Sequence, residues 1–429
     1  MTTVFAESNP EGAIGPDTKR QAIRAAIRHV GDVSRTLVLP PDGSRPHSEA
    51  GALTQILYSE MGRREVFDVM PALGTHRPMK GEELRQMFGV SIPQRAFKEH
   101  NWREDLARLG VVPSEYVHQV SDGVLRDVMP DYDIPVEVNK RLVQGGYTAV
   151  FSIGQVVPHE VVGMANGFKN VLVGAGGQET INKTHFLGAV YGMERMMGRA
   201  DTPVRAVLNY SHEHFLKDLH ILYILTVMAR GESGQMVMKG IYVGDDHETF
   251  LRAAELSRQV NVTLLDGPQQ KVVAYLDPVE FKSTWLGDKA IYRTRMAIAD
   301  GGELIMIAPG IHTFGEDAEI DRLIRRYGYR GTPATLQALA DNADLGANLS
   351  AAGHLIHGSS EGRFRIICAT DPSKLTREEV ESVGFEWRDV SRVLAEYNPA
   401  RLSDGPNDGF YYVGAPALGL WSVREKFEH

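Results

Sequence analysis

The 429-residue sequence predicts an α/β protein built from two α/β domains with mainly parallel sheets. Short apolar stretches typical of strands alternate with stretches whose apolar residues recur at helical spacing. Each of the first strand stretches runs into a loop rich in proline and glycine. At this length, with 43% hydrophobic residues, the chain can also bury two cores. We expect an N-terminal domain at residues 1–270 and a C-terminal domain at residues 271–429.

The charge and the single cysteine restrict the class of protein. The formal net charge of −9 and the pI of about 5.9 argue against a nucleic-acid-binding surface and favour a small-molecule partner. Cys368 is the only cysteine, which excludes an intramolecular disulfide and a cysteine-cluster metal site. The chain start lacks a secretion-signal pattern, and no stretch is apolar over a membrane-spanning length. We therefore expect a cytoplasmic protein without nucleic-acid or membrane partners.

The first strand patterns end in loops that carry reactive side chains. A helix over 17–30 and a strand over 36–39 lead into a turn at Asp42-Gly43, which presents Ser44 and Arg45. In this turn Asp42 is close enough in sequence to hold the Arg45 guanidinium, which leaves donors for a carboxylate or phosphate ligand. A helix over 47–62, a strand over 66–70 and a helix over 82–88 follow. They place His76 in another strand-to-helix loop.

The stretch from Phe151 to His185 is the densest in chemistry. A strand pattern over 151–156 delivers His159 to a loop that also contains Lys169, before a helix that starts near Glu179 and carries His185. Gly174 and Gly176 lie in this loop and permit close backbone approach to a ligand. A helix is predicted over 135–143, before this stretch. Taken singly, each of these side chains also has an ordinary structural explanation, as a satisfied histidine or a solvated lysine.

The three strand–loop–helix units are stronger evidence together than apart. The carboxyl ends of parallel strands meet at one edge of a sheet, so Arg45, His76 and His159 are expected at the same edge. Farther along, the histidines of 211–220 lack the spacing of a helical metal site. Strands over 236–243 and 260–265 flank a helix over 248–257. The C-terminal domain should contain a helix over 290–299 and strands over 303–311 and 364–369, with the active site in the interdomain cleft.

Three motifs, read together, resemble the nickel-pincer lactate racemase family. They are PDGSRP, ALGTHRPM and PHEVVGMANGFKN followed by His185, and they occur in the family's order with nearly its spacing. The resemblance covers most of the chain and is densest from about Pro40 to His185. It implies a pyridinium mononucleotide with two sulfur arms, joined to Lys169 through a thioamide and holding nickel, with His185 as the remaining nickel ligand. It also implies transient contact with the enzymes that assemble this cofactor.

The resemblance further implies roles for the other residues. His76 and His159 would be the two acid/base groups, and Arg45 would bind the substrate carboxylate. We count Asp42 among the substrate-binding residues because it is expected to hold the Arg45 guanidinium. We expect Ser44, Gly174 and Gly176 to contact the cofactor. Racemisation needs acid/base groups on both sides of a carbon atom, and neutral imidazole is a competent base near neutral pH. The hydroxyl proton would go to a histidine while hydride passes to the cofactor, which leaves a planar 2-keto acid.

The chain departs from the family in the region that binds the substrate. Lactate-specific members carry a Tyr-Gln pair and then a lysine, whereas this chain reads Tyr292-Arg293-Thr294-Arg295-Met296. Phe168 stands where arginine is common, and Asn166 replaces a glycine. We expect Tyr292, Arg293 and Arg295 to bind substrate. Further polar groups follow in the sequence, namely His354, His357, Ser359 and Ser360. Donors left unpaired beside a methyl group are costly, so C2 epimerisation of a sugar acid such as gluconate is favoured over racemisation of malate or lactate.

Two other classes of function remain open at this stage. A mononuclear metal hydrolase would use His76, His159 and His185 as three zinc ligands with water at the fourth position, and it would give Lys169 no role. A non-catalytic carboxylate-binding protein would use Arg45 and the glycine-rich loops to hold an acid. Bound metal and an organic chromophore distinguish these classes.

Overall fold

The computed structural model of the protein describes residues 2–62, 64–231 and 233–428. The chain forms two compact units, which we call the first and the second unit. The first unit comprises Met1–Thr184 and Met197–Asn261, and the second comprises His185–Met196 and Val262–His429. The roles assigned above to residues 1–270 and 271–429 stay predictions.

The strands of the described residues are numbered here in chain order. They are β1 Thr3–Ser8, β2 Arg35–Leu39, β3 Val66–Val69, β4 Leu106–Val112, β5 Ile134–Asn139, β6 Ala149–Gln155, β7 Pro158–His159, β8 Gly163–Met164, β9 Ile221–Arg230, β10 Met236–Gly244, β11 Val262–Leu265, β12 Gln269–Tyr275, β13 Ile298–Ile307, β14 Arg365–Thr370, β15 Glu386–Asp389, β16 Gly405–Asn407, β17 Phe410–Val413 and β18 Leu420–Val423.

The α-helices are numbered in the same way. They are α1 Pro16–Val30, α2 Ala50–Glu60, α3 Glu82–Phe88, α4 Ser114–Val120, α5 Lys140–Gln144, α6 Phe168–Leu172, α7 Gln178–Tyr191, α8 Met193–Met196, α9 Pro203–Ser211, α10 His247–Asn261, α11 Thr284–Gly287, α12 Lys289–Thr294, α13 Ala318–Tyr327, α14 Thr332–Asp341, α15 Ala343–Gly346, α16 Leu349–His357, α17 Arg377–Ser382, α18 Val390–Glu396 and α19 Arg424–Glu428. Shorter 3-10 turns cover Pro46–Ser48, Gln94–Ala96, Lys217–Leu219, Pro399–Arg401 and Pro416–Leu418, and a π-helical turn covers His212–Leu216.

The first unit is organised around a six-stranded sheet in the order β1-β10-β9-β6-β2-β3. Its strands β9, β6, β2 and β3 are parallel neighbours, while β1 and β10 join it in antiparallel pairs. Apolar side chains of the sheet and of α1 and α2 form one continuous core, which includes Ile23, Leu53 and Phe151. The prediction that β2, β3 and β6 are parallel and end at the same edge is confirmed.

One element of the first unit was predicted wrongly. The helix expected over 135–143 is strand β5 followed by the short helix α5. Val136 and Val138 are fully buried, and β5 pairs antiparallel with β4. Alternating buried residues are the pattern of a strand, and pairing with β4 satisfies the backbone that a helix would have bonded internally. Strand β9, at the centre of the sheet, and β1 were not predicted.

The second unit has its own six-stranded sheet, in the order β15-β14-β13-β12-β17-β16. All neighbouring pairs in it are parallel except β16 with β17. The predicted helix over 290–299 is shorter, because α12 ends at Thr294 and β13 begins at Ile298. Gly301 lies within this strand with φ +77°, a conformation that glycine adopts without strain. Both units thus have the predicted α/β architecture with mainly parallel sheets.

The described residues contain no helix that is long and apolar enough to cross a bilayer.

Candidate active site

The first pair of candidate residues lies where β2 and β3 end. A parallel bridge between Pro41 and Ala72 continues the pairing of these strands, so their loops stay side by side. His76 Nδ1 lies 2.8 Å from Asp42 Oδ2, while Asp42 Oδ1 accepts hydrogen bonds from the N–H and the hydroxyl of Ser44. The ion pairs of the described residues do not include the expected one between Asp42 and Arg45. The carboxylate holds a histidine instead.

Asp42 is ionised although it is only 6% exposed. Burial by itself raises the pKa of its carboxyl group. The hydrogen bond from His76, the charge of His76 and the hydrogen bonds from Ser44 outweigh burial, and they leave the pKa below its ordinary value. A buried aspartate that orients an imidazole is a common way to prepare a histidine for proton transfer.

The second histidine, His159, is held by backbone. It ends the short strand β7, which pairs with β8 directly after β6. The backbone N–H of Val161 donates a hydrogen bond of 3.1 Å to His159 Nδ1. Glu160 Oε2 lies 4.0 Å from the same nitrogen, and the His159 side chain is only 8% exposed. The loop thus fixes the plane of the imidazole ring.

Lys169 lies at the start of α6 and is the next candidate residue. It is half-buried, and its pKa is lowered to about 8, first by burial and then by the positive charge of Arg45. The charge of Glu160 raises this pKa, the charge of Arg205 lowers it and the charge of Asp42 raises it. Lys169 therefore shares its electrostatic surroundings with residues from the loops after β2 and β6. A substantial fraction of its amine is neutral, and thus nucleophilic, near neutral pH.

Sequence reasoning missed the residues that hold the Lys169 loop in place. Asn170 donates hydrogen bonds of 2.9 Å to the Leu39 carbonyl and to Ser152 Oγ, which ties α6 to the end of β2 and to the middle of β6. Arg205, which is 1% exposed, donates to the carbonyls of Asn166 and Met164. The only feature of the sequence that could have indicated Asn170 is that it directly follows Lys169. No local signal marks Arg205, because its partners lie about forty residues earlier in the chain.

Two departures from the family pattern have physical explanations here. Asn166 adopts φ +66°, a left-handed conformation that asparagine tolerates better than most residues, and its side chain accepts a hydrogen bond from the Gly167 N–H. Phe168 stacks on His212 with ring centroids 3.8 Å apart and an interplanar angle of 8°. Burial lowers the pKa of His212 to about 4, so the stacked imidazole is neutral.

The glycines expected to approach the cofactor are packed against protein. A Cβ atom on Gly174 would overlap the Asn170 carbonyl and lie 2.8 Å from Ala72 Cβ. A Cβ atom on Gly176 would overlap the Leu172 carbonyl, and the Gly176 carbonyl accepts a hydrogen bond from His100 Nε2 at 3.0 Å. These contacts explain why glycine is required at both positions. Their predicted contact with a cofactor stays a prediction.

The residues predicted to bind substrate in the C-terminal half are buried in the second unit. Tyr292, Arg293 and Arg295 are 4%, 2% and 4% exposed. Arg295 Nε lies 3.1 Å from Glu194 Oε1, and its Nη1 donates to the carbonyls of His357 and Ser359. Met296 is buried as well. Arg295 is thus engaged inside the second unit.

Tyr292 belongs to a buried polar network of the second unit. Its hydroxyl lies 2.8 Å from His354 Nδ1, and the other ring nitrogen of His354 lies 3.0 Å from the Tyr329 hydroxyl. Asp288 Oδ2 lies 3.4 Å from His354 Nε2, and burial raises the pKa of Asp288 well above its ordinary value. His185, the predicted nickel ligand, is half-buried in α7 and belongs to this unit by its contacts.

Within the described ranges, no group of three or more histidine, cysteine, aspartate or glutamate side chains is arranged to hold a metal ion. A site that draws three or four ligands from these side chains alone, as most zinc sites do, is therefore not formed here. A metal held chiefly by a cofactor would need fewer protein ligands.

The fold and the site define an α/β protein with a basic and histidine-bearing cluster at the carboxyl edge of a parallel sheet. Residues 129–197 match the lactate racemase N-terminal domain. A Thermotoga maritima protein of known structure is 25% identical, covering 97% of this chain and 100% of its own, with a TM-score of 0.81. The lactate racemase apoprotein from Thermoanaerobacterium thermosaccharolyticum has the same fold, at 15% identity, 97% and 94% coverage and a TM-score of 0.69. No curated protein matches this chain significantly.

The sequence match to the lactate racemase N-terminal domain is thus confined to residues 129–197, and the likeness to the lactate racemase apoprotein is one of fold. The matched segment contains His159, Lys169 and His185.

Proposed function

We propose that this protein is a 2-hydroxyacid racemase or epimerase that works with a nickel-pincer nucleotide tethered to Lys169. The observation that carries the proposal is the Lys169 amine, half-buried with its pKa lowered to about 8 beside Arg45, in the segment that matches the family domain. A neutral amine is what an acyl or thioacyl attachment requires.

The residues present fit this cofactor. Lys169 would form the covalent tether, and His185 would bind the nickel with its imidazole. Because the pincer atoms supply the other ligands, one histidine is enough, which agrees with the lack of a three-ligand metal cluster in the parts of the chain described. When bound, the cofactor would supply the hydride acceptor and donor that the substrate carbon needs.

The chain's own residues would handle the carboxylate and the hydroxyl proton. Arg45 would bind the substrate carboxylate, because a guanidinium offers two parallel donors to this group. His76 and His159 would move the hydroxyl proton at their Nε2 atoms, since the Nδ1 atom of each ring already has a partner in Asp42 and in the Val161 amide.

The substrate within this class is less constrained than the sequence suggested. The preference for a sugar acid such as gluconate depended on polar side chains that needed partners. Arg295, Tyr292, His354 and Ser359 find partners inside the second unit. Because these groups are already paired, they do not disfavour lactate, with its methyl group, as a substrate. Epimerisation of gluconate at C2 and racemisation of malate or of lactate are the three candidate reactions.

The alternative functions explain fewer of these features. A zinc hydrolase needs a three-ligand site, which the described residues do not form, and it gives Lys169 no role. A non-catalytic carboxylate-binding protein would need Arg45 but would not need a histidine held by the buried Asp42 carboxylate.

Covalent attachment can be tested directly by mass spectrometry. Protein produced together with pincer-assembly enzymes should carry an added mass on Lys169, which Lys169→Ala abolishes and Lys217→Ala, at an exposed position, retains. Stereochemical analysis with gluconate, malate and lactate should then show turnover of at least one acid. An unmodified Lys169 in active protein would refute the tether.

Nickel binding separates the roles of the three histidines. His185→Ala should lose nickel, measured by elemental analysis of the purified protein. His76→Ala and His159→Ala should keep nickel and lose turnover by about 10²-fold or more, the usual contribution of general acid–base groups. Equal nickel loss in all three variants would favour the hydrolase.

A further inference from the structure

The two candidate proton-transfer histidines are prepared in opposite ways. His76 Nδ1 faces the Asp42 carboxylate at 2.8 Å. An ionised carboxylate only accepts hydrogen bonds, so Nδ1 of His76 carries the proton. In neutral His76 the lone pair is therefore on Nε2, the atom a base needs. The low pKa of Asp42 keeps the carboxylate charged and preserves this tautomer.

His159 has the reverse arrangement. The Val161 N–H can only donate, so His159 Nδ1, at 3.1 Å, must accept with its lone pair. Neutral His159 therefore carries its proton on Nε2, so this nitrogen can donate a hydrogen bond but cannot accept the substrate proton. Glu160 Oε2, at 4.0 Å from Nδ1, is beyond hydrogen-bonding distance in this state.

Proton transfer through His159 requires this arrangement to change. In the charged imidazolium both nitrogens carry protons, and the Val161 N–H and a protonated Nδ1 would be two donors facing each other. Nδ1 then needs an acceptor. Glu160 is the next residue in the chain, and its side chain is 20% exposed. A small rotation of this side chain would bring its carboxylate to His159 Nδ1.

We propose that Glu160 is the positioning residue for His159, as Asp42 is for His76, and that His159 becomes active only when Nδ1 exchanges the Val161 amide for the Glu160 carboxylate. The inference rests on the proposed function. In one direction His76 Nε2 would take the hydroxyl proton as the substrate is oxidised to the 2-keto acid, for which the bound cofactor would supply the hydride acceptor. When the 2-keto acid is reduced again on its other face, with the bound cofactor as the hydride donor, the His159 imidazolium, with Nδ1–H on Glu160, would give its Nε2 proton to the oxygen. Proton exchange with water resets both rings.

The tautomers can be measured without any turnover. Two-bond ¹H–¹⁵N correlation spectra of the full-length protein labelled with ¹⁵N-histidine should show the Nδ1–H tautomer for His76 and the Nε2–H tautomer for His159. His76→Ala and His159→Ala assign the signals. An Nδ1–H tautomer for neutral His159 would overturn the proposal, whether or not the protein is a racemase.

The role of Glu160 is tested with Glu160→Gln, which keeps the side-chain volume. On acidification, protonation of His159 Nδ1 should occur at lower pH in this variant than in the wild type, because a neutral amide stabilises the imidazolium less than a carboxylate does. Glu99→Gln, at an exposed position, should leave it unchanged. An unchanged midpoint in Glu160→Gln would refute the role.

Kinetics of the cofactor-loaded enzyme supply a second readout. Glu160→Gln should lower kcat by about tenfold or more with little change in KM, and Glu160→Asp should restore part of it. Equal kcat in Glu160→Gln and wild type would overturn the proposal. Lack of any turnover in the wild type would instead count against the proposed function and leave the NMR result to decide the tautomers.

Discussion

At the scale of single residues, the site depends on the charge states that burial and neighbours impose. Asp42 stays ionised under 6% exposure because His76 and Ser44 donate to it. Lys169 is shifted toward its neutral form because burial and Arg45 disfavour a second positive charge. Asp42 is thus an anion beside a histidine, and the Lys169 amine is shifted toward its neutral form.

The reactivity of Lys169 should follow its lowered pKa. Only the neutral amine is nucleophilic, so its acetylation rate should rise with pH and level off above a midpoint near pH 8, instead of near the ordinary value of 10.5. Peptide mass spectrometry after brief exposure to acetic anhydride at pH 6–10 measures this profile. Arg45→Gln should raise the midpoint, whereas Arg77→Gln, on the surface, should not. A wild-type midpoint near 10.5 would contradict the assignment.

His212 should make the fold sensitive to mild acid. Burial lowers its pKa from 6.5 to about 4, so below pH 6.5 the unfolded chain takes up this proton more readily than the folded one. The contribution of His212 to the free energy of unfolding is fully present above pH 6.5 and is lost progressively as the pH falls toward 4. Between pH 7 and pH 5, the free energy of unfolding measured in urea should fall by roughly 1–2 kcal/mol more in the wild type than in His212→Gln. Equal losses in both proteins would argue against it.

At the scale of elements, close packing behind the site matters as much as the strand ends. The loop after β3 and the loop after α6 touch through a hydrogen bond from the Gly74 N–H to the Gly174 carbonyl. Asn170 joins α6 to β2 and β6. These contacts leave no room for side chains at Gly174 and Gly176.

Gly174→Ala should therefore be markedly destabilising. Its Cβ would meet the Asn170 carbonyl and Ala72, and overpacking of this kind costs about 1–3 kcal/mol. Gly62→Ala is the matched control, since no atom lies within 4 Å of the added Cβ there. Urea denaturation should separate the two variants clearly. Similar unfolding free energies would show that the loop relaxes around the new methyl group.

At the scale of the whole molecule, two separate segments of the chain form the second unit. Residues 185–196 group with Val262–His429 although they are flanked by parts of the first unit. Within the second unit Glu194 holds this segment, because its Oε1 accepts from Arg295 at 3.1 Å and from Arg363 Nη1 at 2.6 Å. The segment includes His185, the candidate nickel ligand.

Glu194→Gln should loosen this segment. The change removes the anion beside Arg295, whose side chain is 5% exposed, and the cost should be about 1–3 kcal/mol because Glu194 itself is partly solvated. Hydrogen–deuterium exchange across residues 185–196 should become faster. Glu248→Gln, at an exposed position, serves as the control and should leave the exchange unchanged. Unchanged exchange in both variants would mean that apolar packing alone holds the segment.

The sequence by itself determined the parallel β2–β3–β6 arrangement, the loops that carry Arg45, His76 and His159, and the resemblance that led to Lys169. These features depend on local apolar periodicity and on proline and glycine at strand ends, which are readable within a few residues. Strand β5 was not predicted from such local patterns, because it pairs with residues of β4 that lie about thirty positions earlier.

Only the tertiary structure decided which partner each polar group has. Asp42 bonds to His76 and not to Arg45, and Arg295 bonds to Glu194 instead of standing ready for a substrate. The grouping of residues 185–196 with the C-terminal part of the chain is likewise invisible in chain order. Such partners lie tens to hundreds of residues apart. Their choice depends on strand register and on the burial that makes an unpaired charge costly, and neither is encoded in a local stretch.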